Sequence, residues 1–272
     1  MAVTYSFSSG KGGVGKSVLT AGIGMALAEE GASVVIVDAD IGLRSQDAML
    51  SLENQVVYDL IDLQNRNCTP EQVLLSVPGF KSLKLLPAAQ FVRTKALEPK
   101  HFRKILEQLK EKHDFVLVDC PAGIERGFRN VLNAGVDLPV LVVTPDDLCV
   151  RDAERAAQIM EQKACNRPYL IVNRLDNRLI RSKDMYSARV VAQTLDLPLL
   201  GEVPEDPVIY QAFLKHRHFY FYECEARGAV VRIASRMKGN PAPFPEYGKQ
   251  RIPWLKKRFS PVLREVVPLD DQ

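Results

Sequence analysis

A chain of 272 residues is long enough for one large α/β domain with a sizeable core, and no linker divides it into two. Its 46% hydrophobic and 25% charged content is that of a soluble globular protein, and no apolar run approaches the roughly 20 residues of a membrane span, which excludes an integral membrane protein. A net charge of +3 is too mild to imply nucleic-acid binding, and five cysteines without a Cys-x-x-Cys pair exclude a disulfide framework, a zinc ribbon and an iron–sulfur ligand set.

In chain order, short β-branched and aliphatic runs alternate with stretches of helical spacing. Strands are expected at 2–7, 33–37, 83–86, 115–118, 140–144, 169–172 and 199–203, all apolar enough to be covered on both faces. Helices are expected at 16–30, 99–112, 126–134, 149–163, 187–194 and 224–237, the first closed by Gly31 and the second opened by Pro99. Strand then helix, repeated, predicts a doubly wound, mostly parallel sheet with helices on both faces. One domain is expected through residue 238, followed by an irregular Pro-rich connector over 239–250 and a basic amphipathic segment over 251–272. The first residues carry no secretion signal, so a cytoplasmic location is expected.

Gly10-Lys11-Gly12-Gly13-Val14-Gly15-Lys16-Ser17 satisfies G-x-x-x-x-G-K-[ST] between a predicted strand and a predicted helix. Glycines let the backbone fold around an anion, and the helix N-terminus adds a favourable dipole. The motif predicts binding of ATP with Mg2+: Lys16 reaches the β and γ phosphates, the Ser17 hydroxyl coordinates the metal, and the loop through Val18 surrounds the phosphates. Two further strands deliver carboxylates to the same sheet edge, Asp38 and Asp40 after the second strand and Asp119 after 115–118, the last reaching Mg2+ through water.

Lys-Gly-Gly-Val-Gly-Lys-Ser resembles the deviant P-loop of the MinD/ParA family of ATPases. This resemblance implies that Lys11 crosses a dimer interface to the partner's nucleotide, making an ATP-dependent homodimer. It also implies that Asp40, in switch I, orients the attacking water near the metal, so that Lys11, Lys16 and Asp40 carry catalysis, with Asp38 mattering less. Asp119-Cys120-Pro121-Ala122-Gly123-Ile124-Glu125 is similar to switch II of MinD proteins, whereas plasmid-partition members show Asp-x-Pro-Pro. With Gly42-Leu43-Arg44, Val56-Val57-Tyr58-Asp59 and Leu86-Pro87-Ala88, the likeness runs to about Asp206. In related ATPases a residue matching Asn173 reads the adenine edge and the loop at Pro204 packs on the base. Ser45-Gln46 departs from the Asn-Leu common after the switch I arginine, and His216 and His218 are expected to be surface or core residues rather than metal ligands.

The resemblance implies a cell-division regulator that dimerises with ATP, binds an anionic membrane surface reversibly, recruits a division inhibitor, and is released when an activating partner of the Min system stimulates hydrolysis. No nucleic acid is expected. Alternatives are a flagellar-placement relative, a ParA-like DNA-segregation ATPase, and a P-loop synthetase. In 251–266 helical spacing aligns Leu255, Phe259, Val262 and Val266, and Trp254 with Lys256, Lys257 and Arg258 resembles the family's membrane-targeting end. Pro261 kinks or ends that helix.

Overall fold

The computed structural model describes residues 2–90, 97–163 and 166–245. The chain runs β1 (Val3–Ser8), α1 (Lys16–Glu29), β2 (Val34–Asp38), α2 (Gln46–Met49), α3 (Leu60–Gln64), α4 (Pro70–Val73), β3 (Leu75–Ser76), β4 (Leu83–Leu86), α5 (Pro99–Lys110), β5 (Phe115–Asp119), α6 (Arg126–Asn133) and β6 (Leu138–Val143). It continues through α7 (Asp147–Lys163), β7 (Tyr169–Leu175), α8 (Asn177–Ser182), α9 (Ala188–Leu195), β8 (Leu199–Pro204), α10 (Pro207–Leu214), a 3-10 turn (Phe219–Phe221) and α11 (Glu225–Met237). The sheet order is β3-β4-β2-β5-β1-β6-β7-β8, with every pairing parallel except that of the short β3 with β4. The doubly wound expectation holds, because strands such as Val34-Val-Ile-Val-Asp38 are wholly buried and need helices on both faces.

The strands flanking β5, β1 and β2, end in register with it, and this builds the site. Asp38 of β2 pairs with Asp119 of β5, and Asp119 also pairs with Phe7 of β1, so two carboxylates and the loop after β1 emerge at one sheet edge. From Leu19 to Ala28 α1 is buried without interruption, as an all-round apolar helix must be. Gly24 lets it lie flush on the sheet, since a Cβ there would sit 2.8 Å from Ile36 Cδ1.

Elements absent from the expectations are short, and two of the helices rest on side-chain caps rather than on periodicity. Asp59 makes a capping box for α3, and Asp206 caps α10, whose first residue is Pro207. The chain after α11 is irregular over the described residues, and through Phe244 it is pinned to the domain. Arg236 donates to the carbonyls of Ala242 and Pro243 and stacks on the Phe244 ring. The rest of the expected connector and the segment 251–272 lie outside the described residues. Among the described residues no helix is long and apolar enough to cross a membrane.

The two histidines part, His216 exposed and His218 buried in the core. His218 Nε2–H donates to the Val18 carbonyl at 2.9 Å, and its Nδ1 accepts from the Tyr220 N–H at 3.2 Å, which fixes a neutral tautomer against the first turn of α1. Burial pushes its pKa down to about 4, against the opposing pull of the Val18 carbonyl. The folded state therefore binds fewer protons than the unfolded one, and stability falls as pH drops from about 6.5 towards 4. Between pH 7 and 4.5 this single group should cost about 2 kcal/mol, so the stability gap between the parent and His218→Gln, measured by urea unfolding, should shrink on acidification. A gap that stays constant with pH would contradict a buried neutral imidazole.

Candidate functional site

The loop between β1 and α1 is held by close approach on two sides. Gly15 has φ +90°, and a Cβ there would fall 2.4 Å from Asn173 Nδ2 of β7. A Cβ on Gly10 would fall 2.5 Å from the Asp152 carbonyl of α7. Only glycine fits either place, the first for conformation and the second for space. Gly13 is also left-handed, with φ +81°, and Val14 is buried. Asn173 Nδ2 donates to the Val14 carbonyl at 2.7 Å, tying the loop to the end of β7.

Lys16, the first residue of α1, is 5% exposed, and its ammonium is bonded to Oδ1 of the fully buried Asp119. It also lies 3.3 Å from the Ser17 hydroxyl. Burial alone would lower the Lys16 pKa, but Asp119 outweighs it and holds the amine above its usual range. The other oxygen of Asp119 accepts from Gln46 Nε2 at 2.7 Å. Nucleotide binding at this loop must therefore exchange one anionic partner of Lys16, the carboxylate, for another, the phosphates.

The two switch I carboxylates have different roles. Asp38 accepts the backbone N–H groups of Asp40 and Gln46, both at 3.0 Å, and so shapes the start of switch I rather than facing a ligand. Burial first, and the charge of Asp119 second, push its pKa up to about 7. Asp40 sits at the boundary of burial, 9% exposed, and burial raises its pKa against the attraction of Lys16. It is the freer of the two, near the ammonium. Lys11 is exposed near Asp146, where burial is outweighed first by the Thr144 hydroxyl, then by the Cys149 N–H and then by the charge of Lys11, so that this carboxyl stays low.

Beside the loop opens a cavity of about 450 Å³ lined by Gly15, Val18, Asn173, Arg174, Glu205 and Asp206, with Tyr210 and Phe213 farther out. Asn173 Oδ1 is buried without a hydrogen-bond partner among the described residues, an acceptor that an exocyclic amine would satisfy. Pro204 is not in the lining: it ends β8 paired with Leu175, and Glu205, Asp206 and Pro207 take the place expected for it. A glycine cradle with a buried cation, a hydroxyl and a carboxylate next to a base-sized cavity fits a nucleotide with its magnesium. Magnesium keeps several waters and is bound through one or two protein oxygens plus phosphates, which Ser17 and Asp119 can supply. Gln46 stood out in the sequence only as a departure from the family pattern, because an isolated glutamine carries no sign of a role until β5 and α1 are brought beside it.

Lys16→Ala would leave Asp119 buried beside Asp38 without its counter-charge, which should cost about 3–5 kcal/mol of stability. Adding Asp119→Asn to Lys16→Ala should restore part of that loss in thermal or urea unfolding, a coupling that only a direct ion pair produces. A double variant no more stable than Lys16→Ala alone would contradict it.

The family described as "ParA: NUBPL iron-transfer P-loop NTPase" matches residues 2–237. The septum site-determining protein MinD of Helicobacter pylori is 38% identical over 260 residues, covering 92% of this chain and 96% of that protein. In the MinC:MinD cell division protein complex of Aquifex aeolicus, a chain 33% identical superposes with a TM-score of 0.81 over 91% of this chain and all of its own length. The septum site-determining protein MinD of Pyrococcus horikoshii, complexed with Mg-ADP, is 27% identical with a TM-score of 0.76, covering 87% of this chain and 96% of its own. Matched over most of its length by that family model and by these relatives, the chain belongs to the MinD family of ParA-type P-loop ATPases.

Proposed function

We propose that this ATPase controls division-site placement: it binds ATP with Mg2+, dimerises through its nucleotide face, attaches to an anionic membrane and recruits a division inhibitor of the MinC kind. The observation that carries this reading is the split between the two lysines of one loop. Lys16 is buried on Asp119 and suited to its own chain's phosphates, whereas Lys11 is exposed, with only the nearby charge of Asp146 noted above rather than a buried carboxylate against it among the described residues. A second copy facing the loop gives Lys11 a nucleotide to meet. The exposed Leu43 of switch I and Leu148 of α7, 75% and 65% accessible, support a face that another chain covers. Asn173 and its cavity support adenine as the base.

Within this reading Lys16 and Ser17 hold the phosphates and the metal, Asp119 reaches the metal through water, and Asp40 orients the attacking water. The metal neutralises phosphate charge, and positioning by fixed groups supplies most of the rate. Membrane attachment is assigned to the basic segment containing Trp254, Leu255 and Phe259. A segment this short binds weakly alone, so two copies in a dimer make attachment ATP-dependent through effective concentration. A DNA-segregation role finds less support, since the switch II sequence is of the Pro-Ala-Gly type and the net charge is only +3.

Co-sedimentation with anionic vesicles tests the whole reading. The parent should sediment in ATP and not in ADP, Lys11→Ala should bind ATP yet stay monomeric and in solution, and truncation after Tyr247 should abolish sedimentation while sparing the dimer. A truncated chain that still sediments with vesicles, or a Lys11→Ala chain that dimerises like the parent, would overturn it.

A further inference from the structure

Gln46 is fully buried although it is a polar residue at the start of a four-residue helix beside the loop of switch I. Both of its side-chain N–H bonds are used, one to Asp119 Oδ2 at 2.7 Å and one to the Ser17 backbone carbonyl at 3.0 Å. Its backbone N–H goes to Asp38 Oδ2 at 3.0 Å. Both partners of the amide are acceptors without hydrogens, so the NH2 end must face them and the amide has one orientation. One residue thus donates to both carboxylates that stand side by side in the β2–β5 register, and to the first turn of α1 as well.

That arrangement becomes important when Lys16 turns to phosphate. Asp119 then loses its cation while Asp38, a neighbour of the same charge type, remains beside it. Gln46 is the donor that stays: it ties Oδ2 and leaves Oδ1, the oxygen Lys16 had held, free to face the metal's water. Gln46 Oε1 is buried and has no partner among the described residues. A metal-bound water is a donor of the kind this oxygen lacks.

The geometry points to Gln46 as a positioning residue for the magnesium-binding carboxylate, one that couples the metal site to switch I through a single side chain. This inference rests on the nucleotide and magnesium reading above and adds to it a determinant of metal affinity outside the P-loop and Walker carboxylate. Because Gln46 opens α2 and its own N–H rests on Asp38, any shift of Asp119 on metal binding is passed to the loop over 39–45.

The test uses the full chain and a fluorescent ADP analogue, titrated in excess EDTA and in excess Mg2+, for the parent, Gln46→Met and Gln46→Leu. The parent should bind more tightly with Mg2+. Both variants should lose about tenfold of that enhancement, as expected for one hydrogen bond to a charged group, while affinity in EDTA stays within about twofold of the parent. Mn2+ titration by electron paramagnetic resonance in the presence of ADP should show the same weakening of the metal. Two variants guard against one that fails to fold, and unchanged affinity in EDTA certifies the phosphate cradle. Variants that keep the full Mg2+ enhancement, or that lose affinity equally in EDTA and Mg2+, would overturn the role of Gln46. A parent with no Mg2+ enhancement would instead overturn the nucleotide and magnesium reading beneath it.

Discussion

The buried ion pair between Lys16 and Asp119 organises the active edge of the sheet. Taking an ammonium and a carboxylate out of water costs several kcal/mol each, so neither tolerates the loss of its partner, and the pair fixes the start of α1 against the end of β5. Around it the protein arranges groups that keep the pair in place without neutralising it further. Gln46 occupies the second oxygen of Asp119, Ser17 stands against the ammonium, and Asp38 holds the backbone of switch I beside them. The glycine loop completes the frame because Gly10 and Gly15 let α7 and β7 close on it.

In the function proposed above, a site built this way would sense phosphate by exchange. Lys16 has one strong carboxylate partner, and only a ligand with comparable charge density can take its place. The consequences reach the other carboxylate-bearing loops directly, since Asp119 is joined to switch I through Gln46 and Asp40 feels the charges of both Lys16 and Asp119.

Much of this was legible in the sequence. The strands were read because parallel strands buried on both faces are continuous apolar runs, and Lys16, Ser17, Asp40 and Asp119 were read because their motifs fix spacing along the chain. The short α2, α3 and α10 were not, since four to eight residues carry too little periodicity and their caps, such as Asp59 and Asp206, look like any acidic loop residue. Pro204 could not be separated from the cavity lining in the sequence because strand ends are set by pairing partners: β8 runs on to meet Leu175, and the lining begins with Glu205 after it. Gln46 and His218 were invisible as functional or structural anchors because their partners lie 73 and 200 residues away in sequence.

The account turns on Lys16 changing partners, and a crystal structure of the chain grown with Mg2+ and a non-hydrolysable ATP analogue reads that directly. It should place Lys16 Nζ on the β and γ phosphate oxygens and away from Asp119, with Ser17 Oγ on the metal. A structure in which the analogue is bound while Lys16 remains on Asp119 would contradict the exchange on which the rest depends.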